Sequence, residues 1–192
     1  MNLNKIIKYV IALSIVALNF SCQNKDESSK IEIYTLKSEV ESEKEIYDSI
    51  QKEWVYAPEF EVTQNLLNEN PLILNEEILC IDTISGRIKL SVVAINKIIA
   101  LPASMKKGIK FAICKDKKPL LVGYFWSSLS SYGSTWNCIE YDHTKEVESE
   151  MFLNMYKGNG IDASKREKIN FNNYPELLET LEKSERLYQG NR

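Results

Sequence analysis

Few residues in this sequence carry obvious chemistry, and its single histidine is the natural place to begin. His143 follows Asp142 near the end of a predicted strand. Nucleophilic triads and most zinc sites draw on histidine, because imidazole exchanges protons and binds metals near neutral pH. A lone histidine in a polar turn is more typical of an ordinary surface residue. We therefore predict no catalytic residue, no metal site and no cofactor.

The short motifs that signal catalysis are also missing from the sequence. It contains no His-Glu-x-x-His, no Cys-x-x-Cys and no Gly-x-Ser-x-Gly. Gly158-Asn159-Gly160 lacks the lysine and the strand-to-helix context of a phosphate-binding loop. A pair of catalytic carboxylates stays open as an alternative, because the chain holds 27 acidic residues and no spacing selects two of them.

Three cysteines lie in predicted strands, and their neighbours suggest how they are used. Cys80, Cys114 and Cys138 stand beside leucine or isoleucine, which predicts buried apolar thiols. One disulfide between two of them is the alternative, since the chain is expected to leave the cytoplasm. Once Cys22 is set aside for the lipid attachment described below, three of the four cysteines remain, and this odd count excludes a complete disulfide framework.

Aromatic and hydroxyl side chains are most concentrated between Gly123 and Trp136. Tyr and Trp combine a broad apolar face with a polar group, and serines add adaptable hydrogen bonds, a combination suited to a protein or glycan ligand. The candidate binding residues are Tyr124, Trp126, Tyr132 and Trp136. The alternative is structural, because aromatic residues in strands commonly fill a core and serines commonly tighten turns.

Between Ile31 and Asn70 the sequence predicts a strand, a helix and a helical turn. Ile31 to Leu36 is rich in β-branched and aromatic residues and reads as a strand. Ile46, Ile50 and Trp54 recur every four residues, which predicts a helix that ends at Ala57-Pro58. A further helical turn is expected between Thr63 and Asn70.

The second half predicts two hairpins, two helices and two further strands. Ser91 is expected to cap a helix that runs through Leu101, and Pro175 to begin a helix that reaches about Tyr188 with Leu177, Leu178 and Leu181 inward. The predicted strands are Glu77 to Asp82, Arg87 to Leu90, Ile109 to Lys115, Leu120 to Trp126, Thr135 to Tyr141 and Met151 to Tyr156.

Together these elements predict an α+β domain over residues 31–192, with a mostly antiparallel sheet and two or three helices packed on one face. Residues 87–119 resemble the periplasmic head subdomain of the SecD export protein in their strand, helix, strand and hairpin order. That resemblance covers under a quarter of the chain. The Ile31-Glu32-Ile33-Tyr34 start and the Phe125-Trp126-Ser127-Ser128 loop resemble uncharacterised lipoproteins of Bacteroidota, which implies no activity.

The first 21 residues predict a secretory signal peptide. Lys5 and Lys8 form a basic start, and an apolar stretch from Tyr9 to Leu18 follows. A membrane-spanning helix needs about 20 mostly apolar residues, and this stretch ends too early at Asn19. An uncleaved anchor is the alternative.

The segment from Leu18 to Cys22 resembles a lipobox, the processing site of bacterial lipoproteins. This resemblance implies that Cys22 receives diacylglycerol on its sulfur and becomes the first residue of the mature protein. Asn19 departs from the pattern, which places an aliphatic residue there. Each buried methylene contributes about 0.8 kcal/mol, so several acyl chains would anchor the protein to a membrane durably.

A polar segment, residues 22–30, follows the lipobox and is expected to act as a tether. Within it, Lys25-Asp26-Glu27 resembles the export signal that sends Bacteroidota lipoproteins across the outer membrane to the cell surface. The alternatives are an extended charged linker with no signal and an outer-membrane lipoprotein that faces the periplasm.

Charge and composition narrow the classes of partner. Removing residues 1–21 leaves 22 basic against 27 acidic side chains, and this acidic balance argues against a nucleic-acid surface. We therefore predict a non-enzymatic, membrane-anchored module that binds a protein or a glycan. An immunity-type lipoprotein that blocks a periplasmic toxin is a related alternative, and a neighbouring toxin gene would indicate it. The other alternative is a carboxylate-dependent hydrolase, whose mark would be a deep pocket lined by two acids.

Overall fold

The computed structural model describes residues 29–37, 46–48, 53–102, 107–158 and 163–188. The lipobox cysteine Cys22 and the segment Lys25-Asp26-Glu27 lie outside the described residues, so their assigned roles stay predictions. Within the described part of the chain, no helix is long and apolar enough to cross a membrane.

The structure consists mainly of one large sheet with two α-helices. Its strands are β1 (Ile31–Thr35), β2 (Ile46–Asp48), β3 (Glu53–Val55), β4 (Ile78–Asp82), β5 (Arg87–Leu90), β6 (Ile109–Lys115), β7 (Lys118–Ser127), β8 (Asn137–Tyr141), β9 (Met151–Gly158), β10 (Arg166–Glu167) and β11 (Leu187–Tyr188). The helices are α1 (Val92–Ile99) and α2 (Pro175–Lys183), and short 3-10 turns cover Gln64–Leu66, Asn75–Glu77, Ala163–Lys165 and Phe171–Asn173.

The large sheet is mixed, which corrects the expected mostly antiparallel arrangement. Its strand order is β1-β6-β7-β8-β9-β5-β4-β11, and β10 pairs with β9. Two neighbouring pairs, β7 with β8 and β4 with β11, run parallel, while the others run antiparallel. The β7–β8 pair is parallel because the serine-rich loop, residues 128–136, carries the chain back beside β7 so that Tyr124 faces Cys138 and Ser127 faces Tyr141.

Both helices contribute to the same hydrophobic core. Helix α1 begins at the predicted cap, where the Ser91 hydroxyl accepts a hydrogen bond from the Ala94 N–H at 3.2 Å. Its buried residues are Ala94, Ile95 and Ile98, and those of α2 include Leu177 and Leu181. These residues pack with strand residues that extend from Ile31 to Leu153 and Met155. The prediction of a sheet with few helices is therefore confirmed.

Two predicted helical segments differ in the structure. For the segment before Pro58 the sequence predicts a helix. The structure instead has the strand pair β2–β3, with Ile46 opposite Val55 and Tyr47 opposite Trp54. Three apolar residues at a spacing of four are a weak helical signal, and β-branched or aromatic residues at these positions favour strands. Helix α2 ends at Lys183 rather than near Tyr188, because Glu185 adopts a positive φ and the chain then joins β4 as β11.

Candidate functional site

The predicted aromatic residues form a second, smaller core that lies apart from the main one. We call this group the aromatic cluster; its buried members are Ala57, Tyr124, Trp126, Cys138 and Tyr156, with Phe60, Tyr132 and Trp136 packed against them. Tyr124 and Trp126 are 0% and 2% exposed. Tyr132 and Trp136 are half-buried. The structure therefore brings all four candidate binding residues together, but it buries two of them.

Hydrogen bonds explain why Tyr124 and Trp126 serve the fold. The Tyr124 hydroxyl donates to the Pro58 carbonyl at 2.7 Å, and the Trp126 Nε1–H donates to the Tyr132 carbonyl at 3.0 Å. Their rings meet edge to face, with centroids 6.4 Å apart. The first bond holds the segment before β4 against the sheet, and the second holds the serine-rich loop. Tyr124 and Trp126 therefore fill a core, as the structural alternative predicts.

Cationic side chains pack against two further rings of the aromatic cluster, those of Trp136 and Tyr156. The Lys157 ammonium lies 5.0 Å from the Trp136 ring, and the Arg166 guanidinium lies 4.5 Å from the Tyr156 ring. The Trp136 Nε1–H and the Tyr156 hydroxyl are buried without a hydrogen-bond partner in the described part of the chain. Because both atoms are buried, a ligand could not reach them without rearrangement of the cluster.

Ser127 at the end of β7 lies beside His143, and Asp142 stabilises a turn. Ser127 Oγ lies 3.2 Å from His143 Nδ1 and also accepts a hydrogen bond from the Leu129 N–H. The Asp142 carboxylate accepts hydrogen bonds from the Thr144 N–H and hydroxyl at 3.0 and 2.7 Å, so these bonds orient it toward Thr144. A serine–histidine pair is present, but Asp142 does not orient the imidazole as a triad requires.

The three cysteines that the structure describes are free thiols. Cys114 and Cys138 are buried, Cys80 is half-buried, and no disulfide joins these three residues. The Cys114 Sγ–H donates to the Ala112 carbonyl, and burial raises the pKa of this thiol to about 12. The prediction of buried apolar thiols is therefore confirmed for Cys114 and Cys138, whereas Cys80 is only half-buried.

A cleft opens where the sheet divides, and the sequence did not predict it. Strands β8 and β9 pair only from Asn137–Lys157 to Ile139–Met155. Beyond that point the end of β8 pairs with β7, and the start of β9 pairs with β5. The space between them, which we call the sheet cleft, has a volume of about 110 Å³. Its lining includes Ile95 and Ile99 of α1, Tyr141 of β8 and Met151 and Leu153 of β9.

Polar side chains also line the sheet cleft. Glu140 forms an ion pair with Arg166, whose two terminal nitrogens lie 2.7 and 3.3 Å from its carboxylate oxygens. The Asn154 amide donates to the same carboxylate at 3.4 Å. Asp142 lies at the other end, with its carboxylate 3.9 Å from the Lys145 ammonium. The cleft thus combines an apolar floor with charged groups, as small binding sites commonly do.

The side chain of Tyr141 also lines the sheet cleft. Tyr141 is only 3% exposed, and desolvation by burial raises the pKa of its hydroxyl. Tyr141 also belongs to the main core, which fixes the position of its side chain.

Two acids line the cleft, which is the feature expected of a hydrolase, but their surroundings do not suit that chemistry. A carboxyl group that donates a proton needs a raised pKa. Hydrogen bonds from Thr144 instead hold the pKa of Asp142 below its usual value. The Glu140 carboxylate is bound by both terminal nitrogens of the Arg166 guanidinium, so this ion pair already occupies its oxygens. Among the described residues, no group of three or more His, Cys, Asp or Glu residues converges to hold a metal.

The sheet cleft, whose lining combines apolar and charged residues, is the candidate binding site. Comparison of the chain with protein-family models, curated proteins and solved structures finds no match. The candidate site consequently rests on its own geometry.

Proposed function

We propose that this chain is a lipid-anchored binding module of the bacterial cell envelope that engages its partner through the sheet cleft. The observation that carries the binding role is the cleft itself, an opening of about 110 Å³ with an apolar floor and charged walls. The anchoring role is supported by the sequence around Cys22, which resembles a lipobox. The Lys25-Asp26-Glu27 segment supports placement on the outer surface of the outer membrane.

A binding role fits the cleft better than hydrolysis does. The pKa of the Asp142 carboxyl is lowered, which does not suit a proton donor, and the Glu140 carboxylate is occupied by its ion pair with Arg166. The same cleft suits either a protein partner at the cell surface or, if the protein faces the periplasm, a toxin that it neutralises. Binding a surface protein and neutralising a periplasmic toxin both require the lipid anchor and an open sheet cleft.

The anchor is tested by replacing Cys22 with alanine. We expect the Cys22→Ala protein to lose all incorporation of a labelled fatty acid, because only this sulfur is expected to carry diacylglycerol. Incorporation is measured by metabolic labelling with an alkyne-bearing palmitate analogue in the native bacterium. Cys80→Ala is the matched control, since it removes a half-buried thiol of the folded part and should leave the label unchanged.

The contrary result would be equal labelling of the Cys22→Ala protein and the unmodified one. That outcome would place the acyl chain elsewhere and remove the lipoprotein assignment, while the sheet cleft would stay a candidate binding site.

A further inference from the structure

The apolar part of the sheet cleft has room for one small aliphatic group. An apolar cavity of about 150 Å³ holds a single benzene, so a cleft of about 110 Å³ is sized for a group smaller than that ring. Ile95 and Ile99 of α1 and Met151 and Leu153 of β9 supply apolar contacts around it. A branched aliphatic side chain, such as that of valine or leucine, therefore matches this part of the lining.

The polar groups at one end of the sheet cleft are already bonded to one another. The Glu140 carboxylate is bound by both terminal nitrogens of Arg166 and also accepts a hydrogen bond from the Asn154 amide. A ligand that approached Glu140 would have to displace these bonds. We therefore expect the polar groups of a ligand to lie at the other end of the cleft.

That other end carries a loose ion pair between Asp142 and Lys145. The Asp142 Oδ1 atom accepts both hydrogen bonds from Thr144, whereas Oδ2 lies 3.9 Å from the Lys145 ammonium. This separation is longer than a hydrogen bond, so the two groups attract each other without being directly bonded. The Lys145 side chain is 62% exposed, so little packing holds it in place. One anionic and one cationic group therefore stand side by side next to an apolar opening.

A pair of opposite charges beside an apolar opening is complementary to a zwitterion. The ammonium group, the carboxylate and the side chain of an α-amino acid are all attached to one carbon atom. Asp142 can accept a charge-assisted hydrogen bond from the ammonium group, and Lys145 can donate one to the carboxylate. A ligand with a single charge would be attracted by one of these two residues and repelled by the other, whereas a zwitterion is attracted by both.

We infer that the sheet cleft binds a free α-amino acid with a branched aliphatic side chain. The side chain lies against Ile95 and Ile99, the ammonium group lies on Asp142, and the carboxylate lies on Lys145. This inference rests on the binding role proposed for the sheet cleft and adds a small ligand to the partner protein considered above.

The ligand is tested with the full-length lipidated protein in detergent, by equilibrium dialysis of tritiated L-leucine. We expect saturable binding that unlabelled L-leucine displaces. 4-Methylpentanoate lacks the ammonium group and leucinamide lacks the carboxylate, so each should compete at least about tenfold more weakly than L-leucine. Glycine and L-phenylalanine should also compete at least about tenfold more weakly, because glycine leaves the apolar lining uncovered and a phenyl ring exceeds the volume of the cleft.

Two protein variants locate the charged contacts. Asp142→Asn keeps the shape of the side chain and should abolish the preference for L-leucine over 4-methylpentanoate. Lys145→Gln should abolish the preference for L-leucine over leucinamide. A loss of folding would weaken all of these ligands together, so selective losses distinguish binding contacts from structural ones. Lys118→Gln is the matched control, because the Lys118 side chain is 65% exposed and does not line the cleft.

Three results would overturn the inference. The first is the absence of saturable L-leucine binding below about 10 mM. The second is equal competition by 4-methylpentanoate, leucinamide or L-phenylalanine, which would show that the charge pair or the volume does not select the ligand. The third is unchanged preferences in both Asp142→Asn and Lys145→Gln, which would place the bound leucine elsewhere on the protein. None of these results would remove binding of a partner protein at the cleft, which photocrosslinking at Lys145 measures separately.

Discussion

Replacing Trp126 by alanine is expected to lower the free energy of unfolding by about 3–5 kcal/mol, the usual effect of removing a large aromatic side chain from a core. Trp126 is 2% exposed, and its Nε1–H donates to the Tyr132 carbonyl at 3.0 Å. The substitution leaves a cavity in the aromatic cluster and also releases the serine-rich loop. Urea unfolding followed by far-ultraviolet circular dichroism measures the loss.

Two substitutions in the same region serve as comparisons. Leu129→Ala changes a side chain that is 47% exposed, so it should alter stability by no more than about 0.5 kcal/mol. Trp136→Ala should fall between the two, because Trp136 is half-buried. If Trp126→Ala unfolds at the same urea concentration as the unmodified protein, the indole is not part of a core and becomes a binding candidate again.

The second large effect is expected at Gly123, in the middle of β7. An added Cβ would lie 2.5 Å from the Asn137 carbonyl oxygen of the neighbouring strand and 3.0 Å from the Phe111 ring. The carbonyl belongs to backbone and cannot turn away as a flexible side chain could. Gly123→Ala should therefore push β7 and β8 apart and destabilise the protein by about 1–3 kcal/mol, as overpacking commonly does.

Thermal unfolding measures this effect, with Val93→Ala as the control. Val93 is 58% exposed on α1, so its truncation should leave the midpoint nearly unchanged. Equal midpoints for Gly123→Ala and Val93→Ala would mean that the strands are not as close at Gly123 as the structure places them.

The sequence predicts an element correctly where the residues that determine that element are neighbours in the chain. The helix from Val92 to Ile99 follows from its apolar periodicity and from the Ser91 cap, both of which are visible in the sequence. The hairpin β6–β7 follows from two apolar runs around a polar turn, in which Asp116 and Lys117 adopt positive φ. These elements need no knowledge of distant residues.

Long-range pairing could not be read from local patterns. Whether β8 lies parallel to β7 depends on how the serine-rich loop folds, and that path depends on the bond from Trp126 to Tyr132. The strand β11 likewise forms only because β4 offers an edge beside it. A pattern of alternating residues identifies a strand but not its neighbours, which explains why the expected antiparallel sheet is mixed.

One part of the candidate site can be predicted from local sequence, and the other part depends on long-range strand pairing. The aromatic segment was recognised by its composition, but composition does not distinguish residues that line a surface from Tyr124 and Trp126, which fill a core. The sheet cleft is created by the separation of β8 and β9 after Ile139–Met155. Glu140 and Met151 stand far enough apart in sequence that no motif connects them.

Binding of a cell-envelope partner in the sheet cleft is tested most directly by site-specific photocrosslinking on intact cells. Benzoylphenylalanine is placed at Lys145, which lines the cleft, and at Ile84, which is 64% exposed and does not line it. We predict a crosslinked adduct from position 145 that is absent from position 84 and is lost when Ile99→Arg is added. Equal adducts from both positions, or an adduct from position 145 that survives Ile99→Arg, would contradict binding in the sheet cleft.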